Sequence, residues 1–203
     1  MERDLEREDW LRAARLALLR GGVEAVRVEK LARDLDVTKG SFYWHFKDRD
    51  ELLDLLLREW ESEVQEIVLQ IGRGSRRERV HRMLRLLEQR AKLSEEGKVP
   101  SDAAIFVWAS VDRKVARRVN KAEERRLSLL KHFIGDHDRM ELAYLAWLGF
   151  VARGQRVPES RKRFHEIAGL LLEWLSKPKA KLPMRQQVLR KQPAKRVEQR
   201  QVE

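Results

Sequence analysis

The sequence has no cysteine, and its 203 residues include only 5 prolines and 10 glycines. Without cysteine the chain can form no disulfide, no thiolate zinc site and no thiol redox sensor. The scarcity of proline and glycine, and the lack of any sustained run of alternating β-branched residues, argue against strands joined by tight turns. We therefore predict an all-α chain, and its length is sufficient to bury a full core.

Long hydrophobic runs are also missing. No stretch approaches the roughly 18 unbroken apolar residues that a membrane helix needs. The opening residues, MERDLEREDW, are too charged for the core of a signal peptide. We therefore expect no membrane partner and a cytoplasmic location.

Motifs of catalysis are absent from the sequence. It contains neither a glycine-rich phosphate loop nor a nucleophile elbow. The histidines show no HxH or HExxH spacing, and they lie at His45, His81, His132, His137 and His165. We interpret His132 and His137, which flank a glycine, as belonging to a surface loop and not to a metal site. The sequence thus predicts a protein that is not an enzyme and uses no cofactor and no metal.

The formal net charge of +11 is unevenly distributed. Counting Lys and Arg against Asp and Glu gives zero for residues 1–50, +4 for residues 51–176 and +7 for residues 177–203. The last segment is rich in Lys, Arg, Gln and Pro and loses the apolar periodicity, which predicts a basic, disordered tail. Such a tail could attract phosphates without specificity or could have no specific role.

One stretch, Val28 to Phe46, has the pattern of two short helices joined by a turn. Apolar residues recur at helical spacing up to Leu35, and Asp36-Val37 then breaks the pattern. Thr38 can cap a second helix by accepting a hydrogen bond through its hydroxyl group. Because that second helix is too polar to be buried, the arrangement predicts a helix-turn-helix whose second helix enters the DNA major groove.

The wider segment from Gly21 to Leu53 resembles the N-terminal DNA-binding domain of the TetR/AcrR repressors. The matching residues include Gly21-Gly22, Leu31-Ala32, Val37-Thr38, Gly40-Ser41-Phe42-Tyr43 and His45-Phe46, followed by an acidic residue and two leucines. Two positions depart from the family, which often has Thr at Arg27 and Gly at Asp36. The resemblance implies a three-helix DNA-binding domain that acts on double-stranded DNA.

The residue types of this segment suggest its DNA contacts. Lys39 begins the second helix, where side chains reach base edges or phosphates, and hydroxyl groups can donate to phosphates. We expect Phe42 and Phe46 to pack inward, whereas Trp44 could bind DNA or belong to the core. The expected DNA-binding residues are Arg27, Thr38, Lys39, Ser41, Tyr43, Trp44, His45 and Lys47.

The remaining sequence predicts further amphipathic helices. A long helix should run from a cap at Asp48, with Glu51 completing a capping box, to about Ile71. Other helices are expected over residues 9–20, 76–93, 103–111, 112–133, 139–153 and 158–175, and the segment 103–111 is apolar nearly all round. We divide the chain into a DNA-binding domain, residues 1–50, a helical domain for effector binding and dimerisation, residues 51–176, and the tail.

The last two predicted helices carry more apolar surface than one outer layer needs. Small residues at Ala143, Ala146, Gly149 and Gly169 would allow helices to approach closely. We infer a four-helix interface between the subunits of a homodimer, as in the family that the chain resembles. The alternative is that this surface is buried within the monomer.

The resemblance also implies a pocket for a small-molecule effector in the second domain. Each candidate could instead be plain core, and the shortage of charged candidates suggests a hydrophobic or aromatic effector. The candidate lining residues are Met83, Leu87, Phe106, Trp108, Phe133, Tyr144, Trp147 and Phe150.

The sequence therefore predicts a ligand-responsive regulator of transcription, expected to be a repressor, that binds a palindromic operator as a homodimer. Effector binding would move the long helix and spoil the spacing of the two DNA-binding domains. The competing hypothesis is a helical small-molecule-binding or scaffold protein whose basic tail binds nucleic acid without sequence preference.

Overall fold

The computed structural model describes residues 5–134 and 137–177. These residues form nine α-helices and two short 3₁₀ helices, and no strand occurs among them, which confirms the all-α prediction. The 3₁₀ helices are Val23–Ala25 and Pro158–Arg163. The α-helices are α1 Arg7–Gly21, α2 Val28–Asp34, α3 Lys39–Tyr43, α4 Arg49–Ile71, α5 Arg76–Glu95, α6 Asp102–Val111, α7 Arg113–Ile134, α8 His137–Arg156 and α9 Phe164–Ser176.

Helices α1, α2 and α3 pack around a small aromatic core. Phe42 stacks on Phe46 with ring centroids 5.1 Å apart, and Trp10 of α1 meets Phe42 edge-on at 5.3 Å. All three rings are buried, as predicted for Phe42 and Phe46. Because edge-to-face and offset aromatic pairs are favourable beyond their buried area, this cluster fixes the short α3 against the much longer α1.

The start of α4 differs in one detail from the prediction. The Asp48 carboxylate accepts a hydrogen bond from the Glu51 backbone N–H at 2.8 Å, as a cap should. The Glu51 carboxylate, however, accepts from the Lys47 backbone N–H at 2.7 Å and pairs with Arg7 at 3.2 Å. The predicted reciprocal capping box is therefore wrong, because Glu51 bonds to the residue before the cap and to α1.

The hydrophobic core of the N-terminal helices continues into the second half of the chain. Buried residues of α1 to α4 form one cluster with Ile105 and Trp108 of α6 and with Val115 and Val119 of α7. A second, smaller cluster joins α4, α5, α7, α8 and α9, and it contains Ile71, Val80, Met83, Leu84, Leu130, Met140, Ala143 and Leu175. The first cluster thus ties helices α1 to α3 to the body of the protein.

Two predictions about later helices were wrong. The apolar α6 does not run through the middle of its domain, because Val107 is 56% exposed and Val111 is 74% exposed. The last helix does not open at Pro158, since a 3₁₀ helix occupies Pro158–Arg163 and α9 begins at Phe164.

In the described ranges, no helix combines the length and the apolar character needed to cross a membrane. The predicted turn at 135–136 and the tail from residue 178 lie outside the described residues.

Candidate DNA-binding surface and buried cavity

The turn between α2 and α3 depends on one unusual backbone conformation. Asp36 has φ of 56°, the left-handed region that glycine adopts most easily. Aspartate is among the few other residues that tolerate this region. The Val37 N–H then donates to the Ala32 carbonyl at 2.9 Å and closes the turn. The departure at Asp36 therefore leaves the helix-turn-helix geometry intact.

Thr38 lies at the N-cap position of α3 with an extended backbone, φ −76° and ψ 153°. Its hydroxyl makes no capping hydrogen bond, so the predicted capping interaction is wrong. The side chain is exposed, and the helix that it precedes is only five residues long. Its hydroxyl consequently lies at the surface at the start of α3.

The outer side of α3 presents large polar and aromatic side chains to solvent. Tyr43 is 53% exposed and Trp44 is 89% exposed, which excludes a core role for Trp44 within this chain. Lys39 is exposed and pairs with Glu29 of α2 at 2.5 Å. This hydrogen bond raises the pKa of Lys39 and lowers the pKa of Glu29, so both remain charged at neutral pH.

The other predicted DNA contacts flank this face. Arg27 is the exposed residue before α2, and its Nε donates to the Glu24 carbonyl at 3.0 Å. Ser41 and His45 are half-buried, whereas Lys47 is exposed at the entry to α4. The structure therefore brings the predicted residues together around a short helix, with Ser41 and His45 the least accessible of them.

A buried charged cluster lies farther along the chain and was missed by the sequence prediction. Asp102, at the start of α6, accepts a hydrogen bond from the Trp60 indole N–H of α4 at 2.6 Å. The same carboxylate oxygen lies 3.4 Å from two nitrogens of Arg126 and 3.6 Å from Arg90. Arg90 also pairs with Glu63 and donates to the Pro100 carbonyl at 2.9 Å.

The electrostatics of this cluster keep Asp102 ionised. Burial by itself raises the pKa of Asp102, but Arg126, Arg90 and the Trp60 hydrogen bond together lower it to about 2. Burial by itself lowers the pKa of Arg126, but Asp102, Tyr144 and Glu123 together raise it above its ordinary value. The Asp102 carboxylate thus lies between two guanidinium groups, one of which, Arg90, also pairs with Glu63.

The cluster forms one wall of a cavity of about 50 Å³ whose other walls are largely apolar. A larger cleft of about 330 Å³ adjoins it, and Arg90, Asp102 and Trp147 line both spaces. The inner cavity is lined by Ile67, Met83, Leu84, Leu87, Arg90, Asp102, Arg126, Leu130, Met140, Ala143, Tyr144, Trp147 and Leu171. Arg90 and Asp102 of the charged cluster therefore border both spaces.

The predicted pocket residues divide into three groups. Met83, Leu87, Tyr144 and Trp147 line the inner cavity, and Trp147 and Phe150 line the outer cleft. The structure places Phe106 and Trp108 instead in the first hydrophobic cluster, where Phe106 contacts Trp60 edge-on at 5.9 Å. The side chain of Phe133 lies outside the described part of the chain.

The loop between α5 and α6, residues 96–101, connects this cavity to α1. Arg12 donates to the Glu96 carbonyl at 3.1 Å, and Arg15 donates to the Gly97 carbonyl at 3.1 Å. Gly97 has φ of 71°, and a Cβ there would lie 2.7 Å from Leu16 Cγ. The loop therefore packs directly on α1, while its last residue precedes Asp102.

Helices α8 and α9 expose apolar side chains and small residues. A Cβ placed on Gly149 or on Gly169 would meet no atom within 4 Å. Leu145 is 56% exposed and Leu170 is 63% exposed. An apolar cleft of about 300 Å³ adjoins this face, between Ala146, Trp147, Phe150, Ile167, Leu170 and Trp174. This face is much more apolar than the surface of an isolated subunit needs to be.

Comparison with known proteins matches residues 11–56 to the family model of bacterial regulatory proteins, tetR family. The matched region covers most of α1, the whole helix-turn-helix and the first part of α4. No curated protein matches the chain.

Proposed function

Because the chain is a DNA-binding transcriptional regulator of the TetR family, we propose that it acts as a homodimer on a palindromic operator and that a small-molecule effector controls this binding. The observation that carries the proposal is the exposed face of α3. Tyr43 and Trp44 extend into solvent, while Phe42 and Phe46 anchor the same short segment in the core. Exposed aromatic and basic side chains on a rigidly held helix are what major-groove docking requires.

Selection of binding sites from random duplex DNA tests this proposal. We expect a palindromic site with half-sites about one helical turn, ~34 Å, apart or a multiple of that spacing. Tyr43→Ala should weaken operator binding about 10-fold through loss of a phosphate contact. Arg125→Ala removes an exposed cation of α7, so it serves as the matched control and should leave affinity unchanged.

A truncated protein distinguishes this proposal from the competing hypothesis, in which only the basic tail binds nucleic acid. Truncation after residue 177 removes the basic tail and should reduce only the salt-sensitive, non-specific part of the affinity. If truncation abolished all binding while Tyr43→Ala changed nothing, the chain would be a helical binding protein with a nucleic-acid-binding tail. A selection that returned no preferred sequence would also contradict the operator proposal.

We propose that α8 and α9 of two subunits form the dimer interface. Their exposed leucines, and the empty space above Gly149 and Gly169, fit close packing of a second helix pair. Leu170→Glu should shift the protein to monomers in sedimentation equilibrium, because a desolvated carboxylate would enter the interface. Val111→Glu changes an equally exposed apolar residue of α6 and should leave the dimer intact.

We propose that the effector binds beside the buried cluster and that repression is relieved when it does. Two connections run from that cluster towards the DNA-binding helices. Trp60 belongs to α4, which follows the helix-turn-helix directly, and loop 96–101 is bonded to α1. A change at Asp102 would therefore act on both α1 and α4, and a reporter gene placed behind the selected operator would reveal the direction of regulation.

The remaining features belong to the same proposal. We take residues 1–50 as the DNA-binding domain and residues 51–176 as the effector and dimerisation domain, although the first hydrophobic cluster joins them. We propose that the chain catalyses no reaction and acts in the cytoplasm on double-stranded DNA.

A further inference from the structure

We propose that the effector is a small organic acid, whose carboxylate binds Arg126 and Arg90 and whose apolar body fills the adjoining cavity and cleft. This inference rests on the proposed function, since it names the chemical class of the molecule that would occupy the same site. It adds a charged group to the expectation drawn from the sequence, which suggested a hydrophobic or aromatic effector.

The first argument is the incomplete bonding of Arg126. A guanidinium has five N–H donors, and two of those of Arg126 reach a single oxygen of Asp102 at 3.4 Å. Charge-assisted hydrogen bonds between arginine and a carboxylate are normally ~2.7–2.9 Å long and often come in parallel pairs. Arg126 is 8% exposed, so bulk water supplies little of the missing bonding. A second carboxylate would satisfy donors that Asp102 reaches only poorly.

The second argument is the charge of the cavity wall. Among the lining residues of the inner cavity, two arginines face one aspartate. Arg90 has further partners in Glu63 and the Pro100 carbonyl. The face of Arg126 lies over the Trp60 ring at 5.1 Å, and Glu123, which accepts a hydrogen bond from Tyr144, acts on Arg126 through its charge. An anion entering this site would meet a fixed, largely desolvated cation, which is where an ionic contact is strongest.

The third argument is the shape of the adjoining space. The inner cavity of about 50 Å³ has room for little more than a head group. The outer cleft of about 330 Å³ lies within the range of small-molecule sites, and its walls include Leu19, Phe150 and Val151. Since Arg90 and Asp102 line both spaces, we place the carboxylate beside these side chains and its apolar body in the cleft.

The position of the head group also gives the ligand a route to the DNA-binding helices. A carboxylate on Arg126 would compete with Asp102, and Asp102 holds the Trp60 indole of α4 through a hydrogen bond of 2.6 Å. When the ligand leaves, Asp102 would again be the carboxylate bound to Arg126, and its hydrogen bond with Trp60 would be restored. An acid that binds here would therefore favour a state in which α4 is held differently.

Matched acids and amides provide the test with the full-length protein. Phenylacetate and hexanoate would be compared with phenylacetamide and hexanamide, which have nearly the same shape but no charge. Binding is followed by calorimetry and by thermal shift in the same buffer. We expect each acid to bind at least about 10-fold more tightly than its amide, because a charge-assisted hydrogen bond is lost in the amide. Equal or tighter binding of the amides would overturn the inference.

Two variants locate the bound acid. Arg126→Met should weaken acid binding about 10- to 100-fold and leave amide binding unchanged, whereas Arg125→Met alters an exposed neighbour and should change neither. Asp102→Asn removes the competing carboxylate and should tighten acid binding, a gain that a poorly folded variant could not produce. Weaker or unchanged acid binding by Asp102→Asn would overturn the inference even if Arg126→Met failed to fold.

Measurements of operator binding distinguish failure of the proposed regulatory function from failure of the inference about the effector. A protein that selects a palindromic site but binds neither acid at millimolar concentration retains the proposed regulatory function and loses the inference about its effector. A protein that binds the acids but selects no DNA sequence contradicts the proposed function instead. The acids should release DNA from the wild-type protein and not from Arg126→Met.

Discussion

Two arginines of this protein are almost equally buried but differ in their hydrogen bonds. Arg15 of α1 is 5% exposed and Arg126 of α7 is 8% exposed. Arg15 bonds to Glu59, Glu8 and the Gly97 carbonyl at distances from 2.5 to 3.4 Å. Among the described residues, Arg126 donates hydrogen bonds only to Asp102, twice at 3.4 Å; its face lies over Trp60, and Glu123 acts on it through charge.

The difference shows that burial of a charge does not by itself reveal a binding site. Arg15 joins α1, α4 and loop 96–101, and its donors are well occupied by the protein. Arg126 borders a cavity and keeps donor capacity that the protein does not fill. We therefore assign a structural role to Arg15 and a ligand-binding role to Arg126, and the predictions below test that assignment.

Removing Arg15 should have the largest effect. Arg15→Met would leave Glu59 and the Gly97 carbonyl without their main partner, so we expect the free energy of unfolding to fall by about 3 kcal/mol. This figure stays at the low end because Glu8 and part of Glu59 can be rehydrated. Urea unfolding measures the loss. Arg126→Met should cost less, since Arg90 and Trp60 still contact Asp102; equal losses would contradict the assignment.

Acid should weaken the Asp102 cluster specifically. The pKa of Asp102 is about 2 in the folded protein against 3.8 for an unperturbed aspartate. Because the pKa of Asp102 is lower in the folded protein, its ionised form stabilises the fold at any pH above the pKa of the unfolded chain. This contribution disappears as the pH falls from about 4 to about 2. The difference amounts to about 2 kcal/mol. Asp102→Asn should remove this part of the pH dependence of unfolding, while Asp50→Asn, an exposed control, should preserve it.

The parts of the structure that the sequence predicted are those set by local pattern. Apolar spacing and Gly, Phe and Thr positions located α2 and α3, and the inward packing of Phe42 and Phe46 was correct. Such features depend on neighbours three or four residues away, which a single sequence displays directly.

The charged cluster could not be found in this way. Trp60 and Asp102 are 42 residues apart, and Arg126 follows Asp102 by 24 residues. The helical spacing of Arg126 from Ala122 and Leu130 does place it on the buried face of α7, unlike exposed Arg125, but this spacing does not identify its partners. Only the crossing of α4, α6 and α7 brings these groups together. The Thr38 cap failed for a related reason, since residue type permits a cap but the side-chain conformation decides whether it forms.

A substitution at Gly97, whose carbonyl accepts a hydrogen bond from Arg15, should disturb the contacts of Arg15 less than its removal does. Gly97→Ala would place a Cβ at 2.7 Å from Leu16 Cγ and 3.1 Å from the Arg12 carbonyl oxygen, in a backbone with φ of 71°. We expect the free energy of unfolding to fall by between about 1 and 2 kcal/mol and loop 96–101 to shift away from α1. Gly40→Ala, whose Cβ would meet only ordinary contact distances, should not destabilise the fold. Hydrogen exchange of the loop amides would detect the shift.

The smallest predicted effect concerns two helix caps, which differ, like the two arginines, in the hydrogen bonds that their side chains make. Ser75 caps α5 with a reciprocal capping box, in which its Oγ accepts from the Glu78 N–H at 3.3 Å and its own N–H donates to Glu78 at 2.7 Å. Thr38 occupies the same position before α3 and makes no such bond. Ser75→Ala should therefore cost about 1 kcal/mol, and Thr38→Ala only a few tenths. Thermal unfolding compares the two variants. If Thr38→Ala proved the more destabilising, counting the bonds that a side chain makes would fail as a guide to its structural role, for these caps and for the two arginines alike.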